Sequence, residues 1–319
     1  MTRARPDWSP PARDGVSPSR VASPGRGAWP SLAHFLAERL PAIDLALWRT
    51  RMAAGDVLDE RGAPLGPDTP FLPQRAFWYW RELPYPEPPV PFEAEVLHLD
   101  DHLLAVDKPH FLPMAPKGRY VRETLQVRLK RQLGLETLVP IHRLDRETAG
   151  VVLFSVDPAT RNAYHALFRQ RAVHKVYEAV APWRADLALP LTRRSRLQEP
   201  PGDAFMQMQE VPGEPNTETR IDLIERAGAL ARYRLEPLTG RRHQLRAHLN
   251  ALGIPIVGDR IYPVLWPEPP LDSPPDWREP LRLVARSIRF TDPVSGAERH
   301  FESRRPCPLT PPLQGDPDG

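Results

Sequence analysis

The segment VPIHRLDRETAGVVLFSVD, residues 139–157, sets a carboxylate, Asp145, between two guanidinium groups, Arg143 and Arg146, just ahead of an apolar run. A carboxylate at the mouth of a strand can serve as a nucleophile, and loops at sheet rims often carry reactive groups. The same pattern also fits a loop ion pair with either arginine, worth about 0–1 kcal/mol at a surface. A second stretch, TGRRHQLRAHLNALGIPIVGDRIYP at 239–263, gathers Arg241, Arg242, His243, Gln244 and Arg246 at the start of a helix. On that helix Arg246 and Asn250 share a face beside a stripe of Leu245, Leu249 and Leu252. Arg246 therefore lines a cleft edge or lies along apolar surface with its head in water. Gly240 leaves the first helical amides as a candidate phosphate contact. Tyr177, alternating with Lys175 in HKVYEAV, reads as a half-buried strand residue.

Other chemistries find little support. His243 and His248 lie five apart with no carboxylate-rich segment to complete a cage, so no metal site is assigned. A hydrolase built on Asp145 with His142 or His243 lacks a serine or cysteine nucleophile motif. The one cysteine, Cys307, excludes an internal disulfide framework, which points to a cytoplasmic protein. No apolar run is long enough for a membrane span, and the first 28 residues lack the apolar centre of a secretory signal. The net charge is only +3, but the basic set of 43 contains four lysines, Lys108, Lys117, Lys130 and Lys175, and is otherwise arginine. Guanidinium suits phosphate and base stacking, although base composition of the genome explains such a skew as well.

These groups need elements to hold them. Proline is far above the usual share of roughly 5%, and its 42 residues cluster at 1–30, 82–91, 263–280 and 306–317. Residues 1–28 are thus expected as a disordered tail, 84–91 as a stiff linker and 306–319 as a second tail. Between them, 29–83 predicts two helices and short strands, with Ser31 and Asp44 as N-caps and Gly55 as a stop. In 92–305, AEVLHLDDHLLAVDKP predicts a hairpin, ETLQVRLKRQLG a helix, and GVVLFSV a strand buried on both faces. A helix capped by Asp157 follows, then a strand over HKVYEAVA and a hairpin turning at Ala227-Gly228. Strands and helices interleave irregularly, which predicts an α+β domain on a mixed, mainly antiparallel sheet with flanking helices and a central cleft.

The stretch HRLDRETAGVVLFS resembles the signature of the RluA family of RNA pseudouridine synthases. LLAVDKP (103–109), HKVYEAV (174–180), GEPNTET (213–219) and TGRRHQLRAHLNALGIPIVGDRIY (239–262) match the family in the same order, so the resemblance spans about residues 92–303. It implies a pseudouridine synthase fold and the isomerisation of uridine within structured RNA, ribosomal before transfer RNA. It further implies that Asp145 is the catalytic aspartate, Tyr177 the active-site tyrosine and Arg246 the arginine paired with Asp145. Arg143, Arg146, Lys175, Arg241, Arg242, His243 and Gln244 are then expected to contact RNA. The reaction transfers no group and changes no oxidation state, so no cofactor is implied, and a monomer is expected. Residues 29–83 resemble, more weakly, the S4-like RNA-binding module that often precedes this domain. Ala149 and Val284 depart from the family, which usually has serine and histidine there, and Arg242 replaces a small hydroxyl residue. The competing expectation is a catalytically idle RNA-binding or ribosome-assembly factor with the same fold.

Overall fold

The structure is a computed structural model that describes residues 8–200, 207–267, 270 and 273–309. Two compact units divide the chain, one formed by residues 1–87 and 115–136, the other by 88–114 and 137–319.

In the first unit, helices α1 (Leu32–Arg39) and α2 (Leu45–Ala53) pack on a three-stranded sheet ordered β1 (Ser19–Ala22), β3 (Ala76–Tyr79), β2 (Val57–Leu58). Asp44 caps α2 as its position predicts, its carboxylate accepting from the Leu47 amide at 2.8 Å. Helix α3 (Leu125–Leu133) follows from the spacing of its leucines. Three boundaries differ from expectation. β1 lies inside the expected tail, because its four residues pair with Tyr79–Ala76 and bury Val21. Composition records proline and serine there, not a distant strand partner. Residues 115–136, with α3, belong to the first unit rather than to the domain expected from residue 92. Within the expected linker, Glu87 accepts from the amides of Val121, Arg122 and Glu123 at 2.7–2.8 Å, so its carboxylate orders the turn ahead of α3.

The second unit holds the eleven-stranded sheet. Its path runs β10 (Gln209–Val211), β9 (Leu191–Gln198), β11 (Thr217–Ala227), β12 (Leu230–Pro237), β8 (His174–Pro182), β13 (Leu283–Thr291), β7 (Ala149–Ser155), β5 (Leu103–Lys108), β4 (Glu95–Leu99). β14 (Glu298–Glu302) pairs with β13, and β6 (Val139–Pro140) with β7. Every pairing is antiparallel except β7 with β13, which confirms the mixed, mainly antiparallel sheet. All seven residues of β7 are buried between β5 and β13, the central position predicted for them. Helix α5 (Gln244–Ala251) seats Leu245 and Leu249 on the core formed by β8, β11, β12 and β13.

Helix α4 (Arg161–Arg169) starts later than expected, after Thr160. Asp157 instead accepts from the Ala159 amide at 2.8 Å, closing a turn before the helix. The second tail is also shorter, since Cys307 is buried in a cluster with Ala149, Val180 and Val284. That cluster accounts for two departures from the family pattern. Val284 on β13 stands opposite Ala149 on β7, and both are apolar in an apolar place.

Candidate active site

Asp145 sits in the loop between β6 and β7. Ile141 and Leu144 are buried on one side of it, and the Thr148 amide donates to the Asp145 carbonyl at 3.1 Å, closing a turn. β7 then begins against β13, with Gly150 opposite Ala285. Gly150 has φ +112°, and a Cβ there would fall 2.3 Å from the Ala285 carbonyl oxygen. Only glycine lets the strand after this loop lie so close to its neighbour. The Asp145 side chain is one-third exposed, at 33%. It is the accessible carboxylate of the site.

Arg246 projects from α5 beneath it. Its Nη1 donates to Asp145 Oδ2 at 3.3 Å, while Nε and Nη2 donate to Asp259 Oδ2 and Oδ1 at 2.7 and 2.5 Å. Burial would lower the pKa of this guanidinium, which is 2% exposed, but the bonds to Asp259 and the charges of Asp259 and Asp145 outweigh it and hold the pKa above the usual arginine value. Asp259 also accepts from the amides of Ile261 and Tyr262 at 2.8 and 3.0 Å. The ring of Tyr262 packs 5.6 Å from the guanidinium carbon. The pairing of Arg246 with Asp145 agrees with expectation. Asp259 as the main partner does not follow from it, although GDRIY lay within the matched segment. Gly258 supplies the turn that aims Asp259 inward: its φ is +78°, and a Cβ would meet the Pro280 carbonyl oxygen at 2.3 Å.

Tyr177, on β8, is half-buried and packs against the core below α5. Burial, aided by the negative charge of Asp145, raises the pKa of its phenol. It stays protonated at neutral pH and is a poor base through its phenolate form.

The residues expected to hold RNA divide into two sets. Arg143, Arg146 and Arg241 are exposed, Arg146 also donating to Glu147 at 2.7 Å, and Arg242 donates to Glu199 at 3.1 Å. The other three serve the protein. Gln244 is buried, its Oε1 accepting from Thr239 Oγ1 and the Arg241 amide and its Nε2 donating to the Glu218 carbonyl and Thr219 Oγ1. Those bonds leave Gln244 no role as an RNA contact. They also occupy the Arg241 amide, one of the free amides expected at this helix start. Lys175 donates to the Thr239 carbonyl at 3.1 Å, and burial lowers its pKa to about 8. His243 caps α5 with φ +51° and places Nε2 3.8 Å from Asp145 Oδ1, with its ring edge-on to Tyr262. Burial lowers its pKa to about 4 against the opposing pull of Asp145, so it is a neutral wall of the site rather than a cation for phosphate. Among the described residues, no group of three or more His, Cys, Asp or Glu is placed to hold a metal ion, and no helix is long and apolar enough to cross a membrane.

Four histidines carry a pH prediction. Burial lowers the pKa of His110, His243 and His248 to about 4 and that of His142 to about 3, from 6.5. Between pH 6.5 and 4 the unfolded chain binds protons that the folded chain refuses, so stability must fall as pH falls through that window. Each fully linked histidine contributes about 1.4 kcal/mol per pH unit. The urea midpoint is expected to drop steadily below pH 6.5, with proton uptake on unfolding at pH 5. A flat midpoint from pH 7 to 5 would show that these rings are not held neutral.

An accessible carboxylate backed by a buried arginine, with arginines exposed on the same loop, forms the candidate site of this mixed sheet. The family model for RNA pseudouridylate synthases matches residues 102–251. An uncharacterized RNA pseudouridine synthase of Synechocystis is 31% identical over 230 residues, 72% of this chain and 78% of the relative. The dual-specificity RNA pseudouridine synthase RluA of Haemophilus influenzae is 30% identical over 231 residues, 68% of this chain and 95% of the relative. The solved structure of human RNA pseudouridylate synthase domain containing 1 shares the fold, with a TM-score of 0.52 and 22% identity over 66% of this chain and 84% of that one. The chain belongs to the RluA family of RNA pseudouridine synthases. It is an isomerase that acts on RNA.

Proposed function

We propose that Asp145 is the reacting carboxylate, converting chosen uridines of structured RNA, ribosomal RNA first and transfer RNA second, into pseudouridine. The observation that carries this reading is the contact of the accessible Asp145 with a cation fixed from below by Asp259. A carboxylate so held is oriented before substrate arrives, which is what covalent catalysis needs. The bond from ribose C1′ to N1 breaks, the uracil turns, and C1′ joins C5. The C5 proton is lost to solvent and N1 gains one, so atoms balance without an oxidant or cofactor. The half-buried ring of Tyr177 stacks on the turning base, and its protonated phenol argues against a role as the C5 base.

The target base must leave its helix to reach Asp145. Arg143, Arg146 and Arg241 are exposed and Arg242 partly so, on the loop of Asp145 and at the start of α5, and they suit the displaced phosphates. In the first unit, the helix pair α1–α2 on its small sheet supports an S4-like RNA-holding module over 29–83. A monomer is the expected state, and the buried free thiol of Cys307 suits the reducing cytoplasm.

The test is release of tritium from RNA carrying 5-tritiated uridine. Purified protein is expected to release it from ribosomal or transfer RNA to a plateau of whole sites per molecule. Retention of all tritium on every cellular RNA fraction, with RNA still bound, would favour an idle binding factor.

A further inference from the structure

Two residues at the C-terminal end of β5, Lys108 and His110, hold the backbone that carries Asp145. Lys108 is wholly buried, and its Nζ donates to the carbonyls of Pro109 and Leu112 at 2.9 Å and of Arg146 at 3.0 Å. His110 Nδ1 lies 2.7 Å from the Glu147 carbonyl. A carbonyl only accepts, so the ring proton is on Nδ1. The two carbonyls that follow Asp145 in the chain are therefore both fixed from one segment. That segment is itself held under strain. Phe111 adopts φ +65°, a left-handed conformation unfavourable for a bulky residue, and its ring is buried against Phe92 and Trp277 at centroid distances of 5.8 and 5.2 Å. The reversal at Phe111 lets the carbonyls on both sides of it face one ammonium.

We propose that Lys108 and His110 form a positioning clasp, which sets the Asp145 carboxylate against its substrate by gripping the carbonyls of Arg146 and Glu147. The inference rests on Asp145 being the reacting carboxylate. Both residues act through these backbone carbonyls, which makes them positioning residues. Without the clasp the turn at Asp145–Thr148 loses the two anchors on its carbonyls, and the carboxylate is free to shift on α5's arginine. Burial lowers His110 to about 4 and Lys108 to about 7, the cost of placing both groups under this loop.

The test compares His110→Leu with His110→Asn, since asparagine offers an N–H close to the Nδ1 position and leucine offers none. Single-turnover tritium release and RNA affinity are measured on the full chain. His110→Leu is expected to slow release roughly tenfold or more, the scale of a misplacement below 1 Å, with RNA affinity unchanged, and His110→Asn to recover most of the rate. Lys108→Met, with the stem kept and the ammonium removed, is expected to show the same split of rate from affinity in whatever fraction folds. A wild-type rate in His110→Leu, an asparagine variant as slow as the leucine one, or a parallel loss of affinity overturns the clasp. Asp145→Asn in the same assay separates the two ideas: if it is inactive and His110→Leu is fast, only the clasp fails; if it is active, the reading of Asp145 fails and the clasp with it.

Discussion

Asp145→Asn is expected to abolish tritium release, by at least about four orders of magnitude on the scale of nucleophile removal, while RNA binding and folding persist. The substitution keeps the shape and keeps an oxygen to accept from Arg246 Nη1. It removes one negative charge from a group of three, Asp145, Arg246 and Asp259, whose sum is otherwise −1. Folding should not suffer, because the buried pair of Arg246 with Asp259 is untouched and Asp145 is the accessible member. The fall is expected in the rate of a single turnover with bound RNA. Wild-type release by Asp145→Asn would remove Asp145 from the chemistry, and a large loss of RNA affinity would make it a binding residue instead.

Some of this architecture can be read from residue order alone, and the rest depends on partners far away in the chain. β7 declares itself because GVVLFSV is apolar on both faces, and the hairpin at Asp100 because that carboxylate accepts from the amides of His102 and Leu103. β9 gives no such signal. LTRRSRLQ is mostly charged and polar, since Arg193 and Arg194 are balanced by Glu210 on β10 and Glu218 on β11 rather than buried. β1 is hidden by the proline and serine around it. In the site, Asp145 and Arg246 become partners only when the loop before β7 meets α5, a hundred residues on. The matched motifs name that pair without showing its support. Gln244, beside arginines in the sequence, looks like an RNA contact, yet the helix turns its amide inward to four partners. His243 looks like a cation and is neutral for the same reason, burial.

Arg246 carries two duties, and substitutions can pull them apart. Arg246→Ala removes the counter-charge of Asp259, whose side chain is wholly buried, and breaking one partner of such a pair costs about 3–5 kcal/mol. Against a typical total stability of about 5–15 kcal/mol, that loss alone lowers the folded fraction under mild stress, so activity loss in this variant mixes both effects. The pair of Arg242 with Glu199 lies at the surface and is worth about 0–1 kcal/mol, so Arg242→Ala should cost less stability and less activity than Arg246→Ala. The double variant Arg246→Met with Asp259→Leu removes both buried charges and replaces them with apolar bulk, a change that is often neutral for stability. It is expected to recover the urea midpoint lost in Arg246→Ala while remaining catalytically impaired, because Asp145 still lacks its cation. Arg246→Lys should fall between: one ammonium can answer Asp259 but cannot span both carboxylates as the guanidinium fork does. Recovery of activity together with stability in the double variant would mean that Arg246 serves only the fold. Stability without activity would show that the contact with Asp145 has a chemical purpose of its own, held in place by a carboxylate that never meets the substrate.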